Sequence, residues 1–138
     1  MVEKIKTKLC GLIKQLGYNI TDNGAYVENF PWLMARVSSH SRIDTIDTRI
    51  DTVAITIDIF SKYKGEKEIL TITEDIANHI QKIRTDNPEV MFIAQRDLKI
   101  LDDNKTGPVK KHGALTYQFI LSSTLPEEED ATDDTEGN

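Results

Sequence analysis

Val2, Ile5, Leu9, Leu12, Ile13 and Leu16 recur every three or four residues, which predicts an amphipathic first helix ending at Gly17. The stretch YNITDNGAYVENFP (18–31) is turn-rich and has room for a short strand at most. Trp32 to Val37 reads as a strand with Pro31 at its mouth, where a missing amide is tolerated. From Val53 to Ile59 apolar odd positions alternate with Ala54, Thr56 and Asp58, the period of a one-sided strand. Between Gly65 and Arg84 the period lengthens, and Ile69, Ile72, Ile76, Ile80 and Ile83 form one helical stripe. Glu66 and Glu68 at its start and Lys82 and Arg84 at its end match the helix dipole. After Pro88, Met91–Leu101 and Ala114–Leu121 read as two further strands. The order helix, two strands, helix, two strands predicts an α+β domain: an antiparallel sheet of about four to five strands with two helices packed on one face.

Between the first two main strands lies RIDTIDTRIDT (42–52), an Ile-Asp-Thr unit written three times. On a helix Asp44, Asp47 and Asp51 would share a face, but Asp, Thr and Ile are mediocre helix formers. On a strand, period 2 sets Asp44 on one face and Asp47 and Asp51 on the other, which disperses any metal site. The repeat also lacks the spacing and the glycine of a calcium loop, and DDNKTG (102–107) lacks the closing acid. The connector Ser39–Asp51 is longer than ordinary hairpin loops, so it reads as an arm, either a two-stranded ribbon projecting from the sheet or a solvated loop.

Charge changes the picture at the C-terminal end. Of 23 acidic residues among 138, seven fall in LPEEEDATDDTEGN (125–138), leaving 16 acids against 17 bases in the rest. A single domain over 1–124 is therefore expected, followed by a disordered acidic tail over 125–138. A near-neutral body with no basic stripe argues against nucleic acid as the main ligand. No apolar run is long enough to span a bilayer, and the lysine-interrupted N-terminus does not read as a signal peptide, so a cytoplasmic protein is expected. Cys10 is alone, which leaves no disulfide framework.

No catalytic motif emerges. His40, His79 and His112 show no metal-ligand spacing, and the seven glycines form neither a phosphate loop nor a nucleophile elbow. No enzyme, cofactor or metal site is expected. The basic residues Lys105, Lys110 and Lys111 gather in the turn before the last strand, where lysines discourage edge-to-edge aggregation or meet an acidic partner.

One stretch carries a likeness. VAITIDIFSKYKGEKEILTITEDIANHI (53–80) is a strand ending in Asp58-x-Phe60-Ser61 that enters a helix through Gly65-x-x-Glu68, and MFIAQRDLKILDD and KHGALTYQFILSS follow. Together with the N-terminal helix and the arm, this resembles the tail-completion proteins of long-tailed bacteriophages, the tail terminator or tail-to-head joining family, over roughly Lys4–Ser123. The resemblance implies an α+β subunit without an active site. It would assemble with itself into a ring, expected to be hexameric, that caps the tail tube and docks with the head connector, in the virion tail after assembly in the host cytoplasm. Arm residues Arg42, Asp44, Asp47 and Arg49, and turn residues Lys105, Lys110 and Lys111, are partner-binding candidates by position. A neck or head-completion protein shares these features, and a small-molecule-binding α+β domain is the alternative of another class.

Overall fold

A computed structural model describes residues 2–21, 29–103 and 107–125. Its elements run α1 (Val2–Gln15), β1 (Asn19–Thr21), β2 (Trp32–Asp44), β3 (Thr48–Ser61), α2 (Lys67–His79), α3 (Gln81–Asp86), β4 (Val90–Asp102) and β5 (Lys111–Thr124). The fold is α+β with one five-stranded sheet in the order β1-β2-β3-β5-β4. The sheet is mixed rather than antiparallel throughout, because β1 pairs parallel with β2 from Asn19↔Trp32 to Thr21↔Met34. Three residues carry no signal of strand direction, which is why periodicity did not anticipate this pair. The helix expected over 65–84 is interrupted at Ile80, which separates α2 from α3 while keeping Ile76, Ile80 and Ile83 buried.

The apolar stripes of the helices and the odd positions of the strands meet in one core. Ile5, Leu9 and Ile13 of α1 and Ile69, Ile72 and Ile76 of α2 join Leu33, Val53, Ile55, Ile57, Ile59, Leu115, Phe119 and Leu121. The approach of α2 to β5 is close enough to dictate one residue: a Cβ on Gly113 would sit 2.7 Å from Ile69 Cγ2, and Ile69 is fully buried. The helix can therefore lie on the strand only where the side chain is absent.

The strands are longer than their apolar cores. β2 and β3 pair without interruption of the ladder's far half from Ser39↔Ala54 to Asp44↔Arg49, so the thirteen-residue connector expected over Ser39–Asp51 is almost all strand. β5 follows β3 to its beginning, with Asp51↔Leu121 and Thr48↔Thr124, and the Leu125 N–H donates to the Asp47 carbonyl at 3.0 Å. The arm is thus three strands wide to its tip rather than a free ribbon. It is held by its own ladder, which corrects the picture of a solvated loop.

The tip is a two-residue loop, Ile46-Asp47, closed by the Thr45 N–H donating to the Thr48 carbonyl at 2.7 Å. Neither residue takes a positive φ, so the loop is not the Asn-Gly type of hairpin turn. Thr45 compensates with its hydroxyl, which accepts from the Thr48 N–H at 3.1 Å and donates to the Thr48 carbonyl at 3.0 Å. Thr45 and Thr48 of the repeat are therefore turn chemistry, whereas Thr52 is part of the ladder.

Candidate functional site

A bulge in β2 decides what the arm displays. The register slips between Val37 and Ser39, leaving Ser38 as the extra residue, whose hydroxyl donates to the Ala54 carbonyl at 3.1 Å. One extra residue reverses the alternation of everything beyond it. Before the bulge the odd residues of β2 face the core, Leu33 beside Ile59 and Ala35 beside Ile57; after it the even residues His40 and Arg42 take that side, beside Val53 and Asp51. Ile43 and Ile50 consequently pair on the opposite face.

This geometry corrects the expected dispersal of the aspartates. Parity along a single strand does not survive a hairpin turn: Asp44 lies opposite Arg49 and Arg42 opposite Asp51, so Asp44 and Asp51 share a face, while Asp47 is in the loop. Asp44 and Asp51 are each met by a cation, and Asp47 by a hydroxyl. Arg49 Nε donates to Asp44 Oδ1 at 2.9 Å and Arg49 Nη2 to Asp44 Oδ2 at 3.3 Å. Asp47 Oδ1 accepts from the Thr48 hydroxyl at 3.0 Å. Asp51, 1% exposed, takes His40 Nε2 at 2.6 Å and Arg42 Nε at 2.8 Å, both on Oδ1, and leaves Oδ2 buried with no hydrogen-bond partner.

A second cluster of the same composition lies on the other face of the sheet. Asp58, 3% exposed, accepts from Arg36 Nε on Oδ2 at 2.8 Å and meets His112 Nε2 on Oδ1 at 2.9 Å. His112 stacks on Phe60 and Phe60 on Trp32, both at 4.7 Å between ring centroids, a row across three neighbouring strands. Burial acts first on both Asp51 and Asp58 and raises their carboxyls, but the hydrogen bonds and charges of the histidine and arginine outweigh it and hold both below the ordinary carboxylate range. Both histidine–aspartate pairs are thus locked by an arginine. The sequence singled out neither cluster, because the partners are 11 and 54 residues apart in the chain.

Ser61 and Glu68, from the stretch that carries the likeness, are joined: the Ser61 hydroxyl donates to Glu68 Oε1 at 2.6 Å and accepts from the Tyr63 N–H at 3.2 Å. That bond shapes the loop from β3 into α2, which forms one wall of an open cleft of about 580 Å³ lined by Tyr18, Pro31, Tyr63, Gly65, Lys67 and Ile72. Tyr18 is fixed in the opposite wall by donating its hydroxyl to Asp75, and burial together with that carboxylate pushes its pKa up to about 12.

The candidate partner residues fall into two groups at opposite ends of the sheet. Arg42, Asp44, Asp47 and Arg49 belong to the arm, whereas Lys111 pairs with Ser61 at the far end of β3. Thirteen strand steps at about 3.3 Å each separate these ends by roughly 40 Å. Lys111 is tied to Asp102, and Lys110 joins the sheet end through its backbone, donating to the Ser61 carbonyl at 2.8 Å. Lys105 lies outside the described residues, as does the acidic stretch from Pro126 onward. What the sequence did not reveal is the arm's apolar side: Ile46 is 100% exposed and Ile43 66%. No helix among the described residues is long and apolar enough to cross a membrane. No family model matches the chain, and no curated protein matches it.

Proposed function

We propose that this chain is a structural assembly subunit of the tail-terminator kind, which closes into a ring on the end of a phage tail tube and joins it to the head connector. The observation that carries the reading is the arm, a three-stranded extension beyond the helix-covered core that ends in a fully exposed isoleucine. A solvated apolar tip on a rigid ladder costs solubility without adding core, so it is accounted for by a surface that covers it. The two histidine–aspartate pairs support the same reading, since each is closed by an arginine into a structural ion pair rather than left open to a substrate. In this reading the helices form one layer on one face of the sheet, and the sheet's edges and arm meet neighbours. The ring is taken as hexameric, it belongs to the virion tail and is assembled in the host cytoplasm, and its partners are further copies, tube protein and connector.

The test is to polymerise tail-tube protein with and without the purified chain and to measure tube lengths by electron microscopy. Tubes should stop growing and carry a ring at one end; tubes that lengthen as they do in its absence would overturn the assignment. A second reading, a small-molecule-binding domain, is favoured by the cleft beside Tyr18 and Tyr63, whose volume falls in the range of ligand sites.

A further inference from the structure

The cleft and the arm tip occupy opposite ends of the same strand. β3 begins at Thr48, beside the Ile46-Asp47 loop, and ends at Ser61, from which the chain runs into the cleft wall at Tyr63 and Gly65. A paired strand cannot fold back on itself, so the tip cannot enter the cleft of its own chain. It can enter that of a second copy.

The two surfaces are complementary in chemistry. The tip presents Ile46, fully exposed, with Ile43 and Ile50 paired behind it on one face. The cleft presents Tyr18, Pro31, Tyr63 and Ile72 around open space. Around the cleft, Lys62, Lys64, Lys67 and Lys110 are exposed and form no ion pair among the described residues, against the exposed Glu66 and the half-buried Glu68, which lines the cleft. Around the tip the balance is reversed. Asp47 stands next to Ile46 and its carbonyl accepts from the Leu125 N–H, after which the sequence continues Pro126-Glu127-Glu128-Glu129-Asp130.

We infer that one copy's arm tip, Ile46 with Asp47 beside it, docks into the cleft between Tyr18 and Tyr63 of the next copy, whose lysines receive the aspartate. The contact is head-to-tail, so every copy keeps one free tip and one free cleft and the chain of copies closes when the rotation between them permits. The inference rests on the ring reading in taking the partner to be another copy, and it supplies the interface that reading leaves open. Charge pairing at the rim makes the association weaken with added salt.

The test is site-directed cross-linking of the full chain. A Cβ at Gly65 meets nothing within 4 Å and Ile46 is fully exposed, so Ile46→Cys and Gly65→Cys should both fold, and Cys10 is buried away from the reaction. The two variants, carrying tags of different size, are mixed at high concentration and oxidised. The expected product is a covalent dimer of unlike chains, with only background dimer from either variant alone. Ile46→Cys chains that cross-link to each other as readily as to Gly65→Cys chains, or no cross-link above background, would overturn the inference. As a second reading, Ile46→Asp should weaken self-association by roughly tenfold or more in sedimentation, the worth of one buried isoleucine, with an unchanged thermal midpoint. Wild-type-like association of Ile46→Asp would likewise overturn it. A chain that caps tubes yet gives no mixed cross-link keeps the assembly role and loses this interface; a mixed cross-link without capping does the reverse.

Discussion

Asp51 and Asp58 lie seven residues apart on β3, each almost without solvent exposure and each held by one histidine and one arginine, yet they are built differently. Asp58 sits in the middle of the sheet and divides its oxygens, one to Arg36 and one to His112, with Phe60 stacked on the histidine. Asp51 sits where the core gives way to the arm. Both its partners reach the same oxygen, and the other is buried and bare. The first cluster is a fully satisfied polar insertion in the body. The second closes the body's edge at the cost of one orphaned acceptor, and it marks the boundary beyond which the strands are held by ladder hydrogen bonds and short-range pairs alone.

The largest difference should appear on truncation. Asp58→Ala removes two charge-assisted hydrogen bonds and unseats His112 from its stack, and should lower stability by about 3 kcal/mol in urea unfolding. A loss as small as that at an exposed site would show that Arg36 and His112 are equally content in water. Gly113→Ala, which presses on Ile69 in the same half of the molecule, should cost about 2 kcal/mol through overpacking. Asp51→Ala should cost only about 1 kcal/mol, because losing the bonds to His40 and Arg42 is offset by relief of the bare oxygen. Equal losses at 51 and 58 would erase the distinction between them.

Acid should act on both carboxyls in the same direction. Their folded pKa values lie below the ordinary one, so the stability they confer is complete above the unfolded aspartate value of about 3.9 and is lost as pH falls through the depressed folded values. Urea midpoints of the wild type should drop below about pH 4, and Asp58→Asn should flatten that drop more than Asp51→Asn. The smallest effect belongs to the arm's outer pair. Asp44→Asn breaks an exposed bridge to Arg49 and should move the thermal midpoint by no more than about a degree.

Periodicity rendered the body well and the arm poorly, for one physical reason. The helices and the cores of the strands are legible because burial on one side imposes a repeat, as at Val53, Ile55, Ile57 and Ile59. Past Asp51 no helix covers the sheet, so the sequence is free of that repeat even though the backbone pairing continues to Thr48. The bulge at Ser38 compounds this, since it exchanges the faces of β2, while the hairpin turn sets Asp44 beside Arg49 and on the same face as Asp51. The candidate site was legible only as a location. The arm charges drew notice, but Asp44 and Asp51 pair with Arg49 and Arg42, and what is left for a partner is Asp47 and the exposed Ile43 and Ile46. The cleft was not legible at all, because its walls come from the end of α1, the mouth of β2 and the loop into α2.

The claim beneath all of this is that the arm is a preformed part of the sheet that meets another copy through its tip. Amide hydrogen exchange, read residue by residue in dilute and in concentrated protein, tests it most directly. The account predicts that the paired amides of 48–52 and 119–124 are protected in dilute protein, and that concentration adds protection only at the Thr45–Asp47 tip and the Lys62–Lys67 loop. An arm that exchanges freely when dilute, or a tip and loop unchanged on concentration, would contradict it.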